Sequence, residues 1–220
     1  MSGPRAPARP LRRKAKAPAA PLFDRRQQYS ARRTLILSEA ARLFNERGFS
    51  HAAIEDIADR LGIVKTAIYH YFRSKDEILY ECYLQAFDIA DQALAEAEAG
   101  GSSGREKMER YVRSYLLNGI AAGTHVLPLR DIKALPVALR RKLDQRRRAR
   151  RDRLRGLVAE GVRDGSIRPC DPKIVVSAWA GTLGWIMESY RNDGPLSFDE
   201  IAEQLIGIFM HGIAATPPTH

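Results

Sequence analysis

The chain has 220 residues, 45% hydrophobic and 28% charged, with a formal net charge of +10, so it carries ample apolar side chain for a core. No run approaches the roughly 18–20 uninterrupted apolar residues of a membrane span, and neither an apolar stretch nor a small-residue cleavage site follows the basic N-terminus, so a cytoplasmic protein without membrane contact is expected. Its two cysteines, Cys82 and Cys170, are too few for a disulfide framework and have no neighbours at metal-ligand spacing; neither a metal nor a cofactor is expected.

Residues 1–28 form the first segment. They are rich in Pro, Ala and Arg and short of apolar anchors, which predicts a disordered basic arm. Residues 1–33 hold ten Lys/Arg against the single acid Asp24. Arg32 and Arg33 at the end of that run are candidates for phosphate or minor-groove contact, with a solubilising tail as the alternative.

From Tyr29 the pattern turns helical, with Ile36, Ala40, Leu43, Phe44 and Arg47 on one stripe and Gly48 as the stop. A short helix follows over Ile54–Leu61 and ends at Gly62, and a third covers about 65–72. Ser74, with Glu77 three residues on, reads as the N-cap of a long helix reaching about residue 99. GGSSG at 100–104 is the clearest break. Beyond it, helices are predicted at about 105–122, 126–133 and 136–163, the last ended by Gly161 and Gly165. Asp171-Pro172 opens a helix over about 172–192, apolar on nearly every face and so buried. A turn at 192–197 precedes a final striped helix at about 198–214. No alternating strand pattern occurs, and the fold is read as all-α.

The stretch 54–73 has the build of a helix-turn-helix: a short helix, a glycine turn, and a second helix whose outer face can read DNA. Ile54, Ile57, Ala58 and Leu61 give the inward face, and Ile68 and Phe72 pin the second helix. Lys65, Thr66, Ala67, Tyr69, His70 and Tyr71 are left outward or sideways. Two tyrosines, a histidine and a gap of small residues suit base edges, thymine methyls and phosphates better than plain solvent. The boundaries drawn on this basis are a DNA-binding domain at 29–75 and a helical sensing and dimerisation domain at 76–220.

Three strings, AARLFNERGF, IEDIADRLGI and IYHYFRSKDEIL, resemble the TetR family of bacterial regulators. The last looks like that family's Tyr-x-x-Phe-x-x-Lys-x-x-Leu signature, and the likeness is specific over about residues 31–91. It implies a repressor with a three-helix head, Tyr69 and Tyr71 on phosphate or thymine, and Lys75 anchoring a phosphate. Two departures stand out: Ala53 and Val64 occupy places where the family usually has Thr and often Ser, so a phosphate hydroxyl and a helix cap are missing.

Reading a pseudo-palindrome needs two heads about 34–36 Å apart. A homodimer packed through the two C-terminal helices would supply that spacing and bury their apolar surface. The domain after residue 104 is then expected to hold a small effector, in a pocket lined by Tyr115, Leu116, Ile120, Trp179, Leu183 and Trp185. The segment GWIMESYRNDGPLSFDEIAEQL resembles members that respond to acyl-CoA thioesters and control lipid or aromatic catabolism. That resemblance implies an acyl slot beside Arg130, Arg146, Arg150 or Arg191 for the phosphates of coenzyme A.

Residues 140–155 hold ten basic residues against Asp144 and Asp152; they suit a solvated face, an anionic ligand or flanking DNA. Three other readings were weighed. An efflux-type repressor sensing lipophilic cations fits poorly beside this basic helix. A non-specific architectural DNA-binding protein would use the basic arm alone. Catalysis is not expected, since GxSxG, phosphate-loop and HExxH patterns are absent and His51, His70, His125, His211 and His220 are scattered.

Overall fold

The computed structural model describes residues 22–121, 129–189 and 195–213, and among them every regular element is helical. Helix α1 spans Leu22–Arg47 and ends at Gly48, whose φ of 76° admits the chain reversal. It starts seven residues before Tyr29, so the last part of the expected arm is helical, consistent with a run from Leu22 to Tyr29 free of Gly and Pro. The rest of the arm lies outside the described residues. A 3₁₀ turn at Phe49–His51 leads to α2 (Ile54–Leu61), Gly62 in the left-handed region (φ 63°), and α3 (Lys65–Tyr69). The predicted third helix is thus shorter than expected, and its last turn tightens, with Tyr71 N–H and Phe72 N–H both donating to the Ile68 carbonyl.

Helix α4 (Lys75–Gly100) begins as its cap predicts: Ser74 Oγ accepts from Glu77 N–H at 3.1 Å, and the Glu77 carboxylate accepts from Arg73 N–H at 2.6 Å. After the glycine break come α5 (Gly104–Ala121), α6 (Val137–Asp164), α7 (Pro172–Ser189) and α8 (Phe198–Ile213). The helix expected at 126–133 is instead a 3₁₀ turn, Leu129–Ala134, closing on Leu135-Pro136. A proline disfavours helical geometry in the residue before it, which caps how far that element can run.

Gly161 does not end α6 either; Gly165 does, at φ 79°. Gly161 sits where the start of α5 presses against α6. A Cβ on Gly104 would overlap the Gly161 backbone nitrogen, and one on Gly161 would meet the Ile167 side chain. The crossing is tied by Gly104 N–H to the Asp164 carboxylate (2.8 Å) and Arg105 N–H to Ser166 Oγ (3.1 Å).

Two apolar cores result. The first joins α1, α2, α3 and the first half of α4 around Leu43, Phe44, Ile57, Ile68, Phe72, Ile78 and Leu79. It is completed by Ile132, Leu135 and Leu143, which belong to the second domain by sequence. The second core joins the C-terminal half of α4 to α5–α8, around Leu94, Met108, Val112, Leu116, Val158, Trp179 and Ile206. Helix α4 is shared by both, and the boundary drawn at residue 75 therefore cuts through the packing of the head.

Candidate DNA-binding interface and sensor interior

Ile57 and Ile68 are fully buried and Phe72 nearly so, which locks the turn between α2 and α3 and fixes which side of α3 faces out. On that side Lys65, Thr66, Tyr69 and His70 are exposed, Tyr69 at 46% of its surface, while Ala67 and Tyr71 are half-buried. Tyr71 turns sideways onto the ring of Tyr29 in α1, centroids 4.8 Å apart, which leaves its edge rather than its face for a ligand. Val64, the residue before α3, is 69% exposed. In sequence it reads only as a missing cap; in the structure it is an apolar group at the tip of the helix, suited to a thymine methyl.

The charged groups are more committed than their exposure in sequence suggests. The Lys65 ammonium donates to the Glu55 carboxylate from the first turn of α2 and lies 5.8 Å from the Tyr69 ring centroid. Their hydrogen bond holds the Glu55 carboxyl below its ordinary pKa and the Lys65 ammonium above its own. Lys75, expected to anchor a phosphate, is turned inward. Its ammonium donates to the Phe49 and Ala52 carbonyls, each at 2.8 Å, and sits 4.3 Å from the Phe49 ring centroid. The Phe49 N–H in turn donates to Asp131 at 3.4 Å, so this 3₁₀ turn is held by the start of α4 and by the turn before α6.

Arg33 pairs with Glu81 at 3.0 Å and stacks on Phe72, whereas Arg32 is exposed with no ion pair among the described residues. At the head of α2, Ala53 offers no side-chain cap, and Asp56 compensates in part by accepting from Ala53 N–H at 2.8 Å.

In the second domain Tyr115, Leu116, Trp179 and Leu183 share one core. Tyr115 stacks on Tyr111 (5.8 Å, 16°), and Trp179 packs against Phe209 (5.3 Å). Burial raises the pKa of both phenols. The Trp179 indole N–H is buried without an acceptor among the described residues. The side chains of Ile120, Arg130 and Trp185, and all of Arg191, lie outside the described residues.

Arg146 and Arg150 do not stand free for an anion. Arg146 pairs with Asp88 (2.8 Å) and Asp91 (2.5 Å), Arg150 with Asp91 (2.8 Å), and Arg153 with Glu98 (2.5 Å). This side of the basic run is an inter-helix seam, since the acids of α4 meet the arginines of α6. Arg148 and Arg151 carry no ion pair among the described residues; desolvation, then the neighbouring Arg147 and Arg155, pull the Arg151 pKa down.

Comparison with known proteins places this arrangement. A family profile described as "Bacterial regulatory proteins, tetR family" matches residues 36–82, and one described as "Tetracyclin repressor-like, C-terminal domain" matches residues 101–213. The repressor KstR2 of Rhodococcus jostii is 30% identical over 189 residues, covering 84% of this chain and 93% of its own. The crystal structure of PfmR from Thermus thermophilus superposes with a TM-score of 0.71 at 31% identity, over 80% of this chain and 97% of PfmR. AibR, solved with isovaleryl coenzyme A and operator DNA, shares the fold at a TM-score of 0.70 and 23% identity, over 82% and 97% of the two chains.

Proposed function

The chain belongs to the TetR family of DNA-binding transcriptional regulators, and from that premise we propose that it represses as a homodimer on a pseudo-palindromic operator and is released by an acyl-CoA-type effector. The observation that carries the reading is the outer side of α3: Lys65, Thr66, Tyr69 and His70 stand exposed on a helix pinned from behind by Ile68 and Phe72. Such a face enters a major groove without rearranging the head.

Dimerisation through α7 and α8 is supported by what those helices leave uncovered. Ile174 and Ile208 are 64% and 71% exposed, and they lie on lines with the exposed Ala178 and Gly181 of α7 and the exposed Gly212 of α8. Space is open around both glycines, as a close helix-to-helix approach from a second subunit requires.

For the effector, the support is an apolar interior with one unmet polar group. A buried N–H without an acceptor is costly unless a ligand or water meets it, and the Trp179 indole suits a carbonyl oxygen such as that of a thioester. Because Arg146 and Arg150 hold carboxylates of α4, the coenzyme phosphates fall to other cations, with Arg148 and Arg151 unpaired on α6. KstR2 and AibR carry names linked to ketosteroids and to isovaleryl coenzyme A. Lipid or aromatic catabolism is the corresponding proposal for the genes controlled here.

The test is footprinting on the DNA next to the chain's own gene, repeated with a panel of acyl-CoAs alongside isothermal titration. A discrete palindrome, lost on adding one of them, is expected. Protection without sequence preference would favour an architectural protein, and no binding by any acyl-CoA up to millimolar concentration removes that effector class. Tyr69→Ala is expected to abolish the footprint while leaving the dimer intact on sedimentation.

A further inference from the structure

We propose that Glu55 sharpens sequence discrimination by holding Lys65 off the phosphate backbone until a base acceptor competes for it. The inference rests on α3 being the reading helix and goes beyond that assignment, because it concerns a residue of α2 to which the reading gives no role.

Lys65 is the first residue of α3 and Glu55 the second of α2, and their side chains close an ion pair across the mouth of the motif. The fold does not need this pair. Gly62 and the buried Ile57 and Ile68 already set the α2–α3 angle, and both charged side chains are about half exposed (45% and 55%). The other acid in the first turn of α2, Asp56, is occupied by Arg47 and the Ala53 N–H, and α3 has no acid in its own first turn. Glu55 is therefore a carboxylate set beside the one cation at the tip of the reading helix, where DNA would otherwise meet an unrestrained positive charge.

Relative strengths then decide what the pair does. An exposed ion pair is weak and screened by salt. A lysine–phosphate contact draws on counterion release and also fades as salt rises. Exchanging one for the other is near balance, so random DNA gains little from Lys65. A lysine on guanine O6 and N7 is a stronger, geometrically defined contact, and there the exchange is favourable. For a chain of net charge +10, whose basic N-terminal run attracts any duplex, a device that subtracts from non-specific binding alone raises the specificity ratio.

The experiment uses the full chain as wild type, E55Q, K65Q and the double variant, measured by fluorescence anisotropy across a salt series. The two probes are the footprinted duplex and a scrambled duplex of equal length and composition. E55Q is expected to bind the scrambled duplex roughly two- to fivefold tighter, the scale of an exposed ion pair, and its salt slope should steepen by about one for each head that gains a phosphate. Its affinity for the footprinted duplex should change less than about twofold, and in the K65Q background the E55Q gain should vanish. Unchanged affinity for scrambled DNA, an equal gain on both duplexes, or a gain that persists without Lys65 would each overturn the proposal. A wild type that protects no discrete site would instead bring down the reading-helix assignment, and this inference with it.

Discussion

At the scale of single residues, the head depends on a lysine that was expected to face DNA. Lys75 carries two carbonyls, Phe49 and Ala52, at the point where α1 gives way to α2. Replacing it with methionine keeps the stem and removes both donors. Lys75→Met should lower stability by about 1–3 kcal/mol, the range for half-buried carbonyls stripped of their donors, and a thermal melt would show it. A phosphate anchor alone would leave the melting temperature unchanged and affect only DNA binding. The signature spacing that marks Lys75 was plain in sequence; its direction was not, because the carbonyls it meets lie 23 and 26 residues away.

At the scale of elements, the crossing of α5 and α6 is the tightest joint described. Gly104→Ala puts a methyl group into the backbone of the opposing helix, where nothing flexible can yield, and should cost about 3 kcal/mol. A variant as stable as wild type would show the two helices to be further apart. Asp164 ties the same joint. Its carboxylate accepts hydrogen bonds from Ser166 and from the Gly104 N–H, and these hold its pKa below the ordinary aspartate value. A depressed carboxyl stabilises the fold above the unfolded-state pKa and loses that contribution as pH falls through the folded one. The melting difference between wild type and Asp164→Asn should therefore be full near neutrality and shrink below about pH 4. A pH-independent difference would mean that the interaction does not involve charge.

At the scale of the whole molecule, two cores share one long helix. The head is closed by Ile132, Leu135 and Leu143, so a change of packing in the body has a direct mechanical route to α1, α2 and the turn at Phe49. Two heads on one duplex also need a fixed separation, which the proposed α7/α8 pairing supplies. Ile208→Asp places a charge in the middle of the uncovered apolar face. It should yield a monomer on sedimentation and weaken operator binding roughly 100-fold or more through loss of bivalency. A variant that stays dimeric would move the interface elsewhere.

Much of this was legible in the linear chain, because the signals are local. Helical stripes repeat within a turn, Gly48 and Gly62 take backbone angles that other residues resist, and Ser74 caps the fourth helix through a partner three residues on. The outer face of α3 followed from the same short-range logic, by subtracting Ile68 and Phe72 from the helix. What could not be read that way were the choices made across distance. Ten basic residues at 140–155 look like an anion site until Asp88, Asp91 and Glu98 come to meet some of them from more than fifty positions away. Gly161 looks like a stop until α5 is seen to press on it, and Glu55 looks like an ordinary surface acid until α3 folds back beside it. Periodicity and caps act over three or four residues and leave a mark in the string, whereas the partner of a charge or the neighbour of a glycine is set by which surfaces the finished packing brings together.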